Sequence, residues 1–413
     1  MKIQDTIQLG FVTLMRQKLR TILTTIALGI GIASVVIILS AGRGLENLIV
    51  GELDIYNPNS LNIEVRIPGK GETGSATGMA SGVTITTLKN SDTEEIEKHE
   101  NIDSTYDYVT GQEVIKYGGE NKTVILFGYG ANAAKVEKMT FDEGRFYEKA
   151  EEDSLAQVLV IGYGIKEEFF GEDSAVGKNV YIRGKSYKVV GVMAERGASF
   201  GFDYDDLVYI PTKTLQKRLL GTDYVMGIMG RVIDMTKIDQ TKADIEYLLR
   251  DRHDITDPDK DDFQVTTMDE IQDMLGTIVG GITLLLVALV CISLVVAGVG
   301  ITNIMYVTVA ERTFEIGLRK SLGAKNKDIL WQFLVEAMIL TSAGGVVGVI
   351  LGFLMSYAIY YGAVSSGLNW IFSVPLYSIV LAISFSTFVG LFFGIYPAKK
   401  AANLDPIVAL RKE

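Results

Sequence analysis

The 413-residue sequence predicts a membrane α-helical protein: four transmembrane helices, with a large α+β extracytoplasmic domain inserted between helices 1 and 2. Three observations carry this. Charge is missing from three windows, residues 21–42 (22 residues), 274–310 (37) and 337–398 (62), and an apolar helix of about 20 residues spans roughly 30 Å of hydrocarbon. Thirteen of the 39 Lys and Arg lie in the short segments outside these windows. Residues 43–273 carry 26 basic and 43 acidic side chains and read as alternating short strands and helices.

The first window follows an N-terminal segment, 1–20, in which Ile3, Ile7, Phe11, Leu14 and Met15 share one side with Arg16 and Lys18 beside them. That pattern predicts an amphipathic helix on the cytoplasmic membrane surface. Twenty residues precede the apolar run, which is longer than the core of a cleavable signal, so it is read as an anchor. Beyond Arg43, Leu45, Leu48, Ile49 and Leu53 keep one helical face, so residues 21–54 are expected to form transmembrane helix 1 and an outer stalk.

The extracytoplasmic domain is expected over 55–266. Leu61, Ile63, Val65 and Ile67 alternate as in a strand, residues 86–100 look helical after a Gly/Ser-rich loop at 69–82, 225–233 and 263–267 read as strands, and 236–250 as a helix. These flanks, about 55–107 and 222–266, are expected to make one α+β unit. Between them, about 108–221, short strand patterns at 114–117, 123–127, 158–161, 180–183 and 187–192, with a turn at Gly184, predict an inserted β-rich unit.

Thr267 followed by Glu270 has the spacing of a capping box and opens a stripe of Ile271, Met274, Leu275 and Ile278. Residues 267–305 are therefore a second stalk and transmembrane helix 2. The 62-residue window holds two spans, 329–361 and 376–397, separated by an outer loop at 362–375 that supplies Gly, Ser, Asn, Pro and the interfacial Trp370. Short loops rich in Lys and Arg face the cytoplasm, which puts both termini, the 306–328 segment and the 398–413 tail on that side.

Residues 311–337 are the informative cytoplasmic stretch. Phe314, Leu318 and Leu322 fall on one helical face, Glu315 and Arg319 form an i,i+4 pair, and Gly323 can end the helix. Such a helix either stabilises a turn at the interface or offers apolar knobs and charges to a cytosolic partner. Gly344, Gly348 and Gly352 stand at small-xxx-small spacing, which permits close helix packing but also fits the routine enrichment of glycine in membrane helices. Glu336, near a helix start, is expected at headgroup level or locally paired.

A net charge of −11 argues against nucleic acid as a partner. Cys291, His99 and His253 are too few and too scattered for a zinc site. GASFG at 197–201 matches a nucleophile elbow at Ser199 but leads into FDYDD and a strand, where an elbow needs a helix. GEDSAVGKN at 171–179 encloses five residues between its glycines and follows Lys178 with Asn179, so it lacks the phosphate-loop hydroxyl. Asp257, Asp259 and Asp261 have calcium-loop spacing, yet Asp262 and Met268 replace the required Gly and Glu. No catalytic, cofactor or metal residue is expected.

Three stretches carry a family resemblance: RQKLRTILTTIALGIGIASVV (16–36), GVGITNIMYVTVAERTFEIGLRKSLGA (298–324) continuing to QFLVEA, and GIYPAKKAANLDPIVALRKE (394–413). EGRFY, VGKNVYIRGKSYKVVGVM and LVYIPTKT add weaker likeness in the outer domain. The chain resembles the permeases of MacB-type ABC transporters, a group that includes the lipoprotein-releasing and FtsX-like permeases.

The resemblance implies a dimer, with a second copy or a homologous chain, each subunit having four helices and an outer domain. It implies a cytosolic ABC ATPase that binds ATP and Mg, here on a separate polypeptide because no nucleotide-binding domain is fused to these residues. It also implies a coupling role for Glu311, Arg312, Glu315, Arg319, Lys320 and Leu322. The expected output is export of a peptide, lipid-like compound or drug with a membrane-fusion adaptor. The alternatives are extraction of lipoproteins and FtsX-like activation of an outer partner such as a cell-wall hydrolase.

Overall fold

A computed structural model of the chain describes residues 18–53, 57–69, 84–199, 202–366, 368 and 370–410. The expected surface helix before residue 18 and most of the Gly/Ser-rich loop lie outside the described residues. The chain forms two compact units, Met1–Leu48 with Gly276–Glu413, and Ile49–Leu275.

In chain order the elements begin with α1 (Lys18–Leu53), β1 (Ser60–Val65), α2 (Asn90–Ile96), β2 (Ile102–Tyr117), β3 (Glu120–Tyr129) and α3 (Ala133–Val136). Next come β4 (Phe141–Gly144), α4 (Lys149–Asp153), β5 (Val158–Ile161), α5 (Tyr163–Phe170), β6 (Asn179–Ile182) and β7 (Lys185–Met193). A small hairpin, β8 (Ala198–Ser199) with β9 (Phe202–Asp203), precedes β10 (Leu207–Pro211), α6 (Thr212–Leu215), β11 (Gly227–Val232), α7 (Ile238–Arg252) and β12 (Phe263–Thr267). The last elements are α8 (Met268–Glu311), α9 (Thr313–Ser321), α10 (Asn326–Ser365), α11 (Leu376–Ala402) and α12 (Pro406–Leu410).

The outer unit is built on one ten-stranded sheet in the order β12-β1-β11-β2-β3-β10-β5-β7-β4, with β6 joining β2 to β7. Only β10 with β3 and β5 with β7 run parallel among these pairs. At Tyr108 the long strand β2 changes partner: residues up to Tyr108 pair with β11, and residues from Tyr108 onward pair with β3. The seam expected near residue 108 is thus a change of pairing within an unbroken strand. Beyond it, β2, β3, β10, β5, β7 and β6 close into a ring around Ile115, Leu126, Ile161, Val189 and Ile210. Before it, α2 and α7 cover a core of Leu61, Ile63, Ile228, Ile245 and Phe263.

Two tight hairpins hold the register of the ring. Tyr117 pairs with Glu120 across Gly118 and Gly119, and Ile182 with Lys185 across Arg183 and Gly184. All four loop residues have positive φ, as a two-residue hairpin turn matched to strand twist requires.

Four helices, α1, α8, α10 and α11, are long and apolar enough to cross a membrane. Each overruns its expected span: α8, for example, continues to Glu311, because nothing in residues 306–311 breaks a helix. Its start is the expected capping box, with Thr267 Oγ1 accepting from Glu270 N–H at 3.1 Å and Glu270 accepting from Thr267 N–H at 2.9 Å.

The helical unit packs Leu28, Ile32 and Val36 of α1 with Leu294 and Ile301 of α8, Phe333 and Ala337 of α10, and Val389 of α11. Three hydroxyls bond across helices or to a loop in place of water: Ser386 donates to Thr341 C=O at 2.5 Å, Thr302 to Phe393 C=O at 2.9 Å, and Ser40 to Ser373 C=O at 2.7 Å. In hydrocarbon such polar groups need internal partners.

Candidate functional site

The site is built on α9, a nine-residue helix entered directly from the end of α8. Its end is a left-handed Gly323, with Gly323 N–H donating to Lys320 C=O and Ala324 N–H to Arg319 C=O. Glycine carries the positive φ there without a Cβ penalty.

Three basic residues hold α9 in place. Arg312 lies 3.2 Å from the Glu336 carboxylate on α10, which is 4% exposed. Arg319 donates to Gln332 on α10 at 2.5 Å and to Glu315 at 2.6 Å. Glu315 also lies 3.8 Å from Arg312. Lys320 donates to the carbonyls of Ala402 (2.9 Å) and Leu404 (2.6 Å) at the end of α11, where a cation meets the negative end of the helix dipole. Behind these contacts Ile316 is buried, and Gly317 lies against Ala409 and Leu410 of α12, an approach that a Cβ on Gly317 would block.

The outward side of α9 and its C-cap carries large apolar side chains beside the exposed Ser321. Phe314 is 54% exposed, Leu318 46% and Leu322 81%, and α12 beside it exposes Ile407 and Val408. The six expected coupling residues therefore divide. Arg312, Glu315, Arg319 and Lys320 are spent on internal contacts, whereas Glu311 and Leu322 are exposed. Phe314 and Leu318, visible in the spacing, belong with Leu322. Gln332, Ile407 and Val408 enter from other helices, and no local pattern marks them.

Gly344, Gly348 and Gly352 form a seam on α10 against α1. A Cβ on Gly344 would come within 2.9 Å of Leu28, one on Gly348 within 2.7 Å of the Gly29 carbonyl oxygen and Ile32, and one on Gly352 within 2.7 Å of Val36. Close approach of two backbones supplies the dispersion that holds helices together in lipid.

The rejected motifs are structural. Ser199 pairs with Phe202 in the β8–β9 ladder, while Phe200 and Gly201 lie outside the described residues, and β6 follows the Gly171–Lys178 loop where a phosphate site needs a helix. In the acidic loop, Asp261 accepts from Arg250 at 2.7 Å and Asp262 pairs with His253 at 2.8 Å.

Comparison with known proteins bears on the whole chain. Residues 21–248 match the MacB-like periplasmic core domain family, and residues 287–406 the FtsX-like permease C-terminal family. A macrolide export ATP-binding/permease protein MacB from Wolinella succinogenes is 32% identical over 410 residues, 99% of this chain and 61% of that protein. Its namesake from Chlorobium luteolum is 35% identical over 411 residues, 98% of this chain and 60% of that protein. This chain spans about three-fifths of the length of these relatives. The crystal structure of the periplasmic region of MacB from Actinobacillus actinomycetemcomitans is 22% identical with a TM-score of 0.46, over 55% of this chain and 97% of that one. With one family covering more than half of its residues and the second most of its C-terminal part, the chain belongs to the MacB-like ABC transporter permeases, multi-pass membrane proteins with a sheet-rich domain between the first two spans.

Proposed function

We propose that this chain is the permease part of an ABC-type exporter, in which an ATPase outside these 413 residues drives movement of the outer domain. One observation carries the reading: α9 presents Phe314, Leu318 and Leu322 outward while Arg312, Arg319 and Lys320 tie it to α10 and α11. A helix so tied cannot yield on its own when pushed. Load placed on its apolar face passes to the helices behind it, and α8 is one unbroken helix of 44 residues from β12 to that corner.

The distribution of Lys and Arg supports a cytoplasmic location for α9 and both termini. An ATP-binding partner docking there would close and push α9, and a second permease copy would move in concert. Glu311 and the apolar triad are the contact side; the half-buried charges behind them transmit. The names of the relatives, macrolide export proteins, support a drug cargo of the macrolide kind.

The test is purification of the full-length protein from its native membrane in mild detergent, followed by mass spectrometry. Recovery of a G-x-x-x-x-G-K-[ST] ATPase near equal stoichiometry, lost on Phe314→Asp or Leu322→Asp, is expected. An adaptor recovered with it would favour export, and a hydrolase the signalling alternative. Repeated recovery without any ATPase, even after crosslinking with ATP analogues, would overturn the reading.

A further inference from the structure

A groove runs between α8 and α11 in the helical unit, lined by Val299 and Thr302 from the first and by Phe392, Phe393, Ile395 and Tyr396 from the second. It measures about 610 Å³, within the roughly 300–1,000 Å³ of sites that hold a small ligand. Two residues shape it. Pro397 has no N–H, so the Phe393 carbonyl loses the partner that an unbroken helix would give it, and Thr302 Oγ1 on α8 donates to that carbonyl at 2.9 Å instead. Gly298, one turn before Thr302, leaves the space that the Phe393 ring occupies, since a Cβ there would strike the ring. These contacts hold Phe393 inward and leave Val299, Phe392, Ile395 and Tyr396 all more than half exposed.

The groove has a charged end. Phe388, Phe392, Ile395, Tyr396, Lys399 and Lys400 recur at the spacing of one face of α11. Phe388 stacks on Phe392 with 5.9 Å between ring centres, Tyr306 of α8 meets Tyr396 edge-on at 6.0 Å, and Lys400 Nζ lies 5.0 Å from the centre of the Tyr306 ring. Both lysines are exposed, and among the described residues neither is paired with a carboxylate. The stripe from Phe388 to Lys400 rises about 18 Å, against about 15 Å of hydrocarbon in one leaflet, half of the bilayer core. Its aromatic part therefore lies along acyl chains and its lysines reach the level of the phosphates, where tyrosine and lysine anchor membrane helices.

We propose that this groove binds one anionic glycerophospholipid, with an acyl chain along Val299 and Phe392 and the phosphate held by Lys399 and Lys400. Lipid wets any apolar helix face. What sets this one apart is a concave apolar channel that leads to two uncompensated cations over the length of a single lipid molecule. The net negative charge of the headgroup matters, because a zwitterionic lipid brings its own ammonium beside the two lysines and gives back part of the attraction. A second copy of the chain fits less well: at the depth of these lysines it offers residues 306–328 and 398–413, with nine basic side chains against five acidic ones, so like charges would meet. The inference does not rest on the transport reading, and its test needs no ATPase.

Full-length protein in detergent is titrated with palmitoyl-oleoyl phosphatidylglycerol and, separately, with the phosphatidylcholine of the same chains, and native mass spectrometry counts the lipids retained per chain. One saturable phosphatidylglycerol is expected, bound about tenfold or more tightly than phosphatidylcholine. Lys399→Gln with Lys400→Gln should remove that preference, and Val299→Trp, which fills the groove, should weaken both lipids. Lys327→Gln, at an exposed lysine outside the groove lining, should change neither. Equal retention of the two lipids by the unmodified protein, or an unaltered preference in the double lysine variant, would overturn the proposal. Displacement of the lipid by glycerol phosphate would reassign the lysines to a soluble phosphate ester, and a chain dimer displaced by neither lipid yet lost in Val299→Trp would reassign the groove to a second copy; either result overturns the lipid site. If Val299→Trp fails to fold, the exposed lysine pair alone decides.

Discussion

Arg312 and Glu336 meet at 3.2 Å at the corner where α8 gives way to α9, and Glu336 is almost wholly enclosed. Removing the cation alone strands a buried carboxylate. Arg312→Leu is expected to destabilise the helical unit by about 3 kcal/mol, and Arg312→Leu with Glu336→Leu by much less, since the paired charges gain little over an apolar fill. Thermal unfolding in detergent checks the order of the two variants; equal losses would mean that the pair contributes nothing by pairing.

The exposed and the internal residues of α9 should separate in function. Phe314→Asp is expected to leave thermal stability within about 0.5 kcal/mol while abolishing stimulation of a partner ATPase. Glu315→Ala with Arg319→Ala removes the link to Gln332, so it should loosen α9, measurable as faster hydrogen exchange across residues 313–321, as well as reduce coupled turnover. Full coupled ATPase activity in Phe314→Asp would remove the apolar face from the interface.

Gly348 leaves no space for a side chain against Gly29 and Ile32, whereas nothing lies within 4 Å of a Cβ on Gly280 of α8. Gly348→Ala should therefore cost about 1–3 kcal/mol through forced separation of α10 from α1. Gly280→Ala should be neutral or slightly stabilising, since alanine favours helix. Melting temperatures of the two variants in the same detergent make the comparison; equal melting temperatures would count against a tight seam.

His253 sits between Asp262, 2.8 Å from Nδ1, and Asp92, 3.5 Å from Nε2. Its hydrogen bonds to Asp262 and then Asp92 push the imidazole up to about 9 from an ordinary 6.5. The folded state therefore keeps a proton that the unfolded chain loses between those values. The stabilisation, about 3 kcal/mol, is complete below pH 6.5 and lost as pH rises through 9. Glu152, pushed by burial to about 7, acts in the same direction at lower pH: between about 4.5 and 7 the folded state holds the extra proton, and stability falls as pH rises. The melting temperature of the outer unit should fall from pH 6.5 to 9.5, and His253→Gln should flatten that slope. A rise over this range in the unmodified protein would contradict the assignment.

The four long helices are legible because charge cannot be buried in hydrocarbon cheaply, so its absence marks the spans. Their ends are less so, since an amphipathic continuation such as Leu45 to Leu53 carries charges in the same run as its apolar face. In the sheet, the alternation at 114–117 reveals only the last quarter of β2. The first half buries Ser104, Thr105 and Asp107, and polar side chains at enclosed positions erase the period-two signal. On α9, the spacing of Phe314, Leu318 and Leu322 shows the outward face. The inward use of Arg319 and Lys320 depends on Gln332, Ala402 and Leu404, brought there by packing that no neighbouring residue announces.

The order of strands also bears on how the protein is made. β1 ends at Val65, yet its two neighbours, β11 and β12, begin only at Gly227 and Phe263. At about 5–20 residues per second, a ribosome leaves the nascent β1 without a partner for roughly 8 to 30 seconds. During that interval Leu61 and Ile63, both fully buried at the end, are unsheltered. The ring, complete once β10 ends at Pro211 and with its main hairpin local, can close first. A chain stalled before residue 227 would thus hold a finished ring beside a bare, sticky strand, the kind of intermediate that chaperones and proteases recognise.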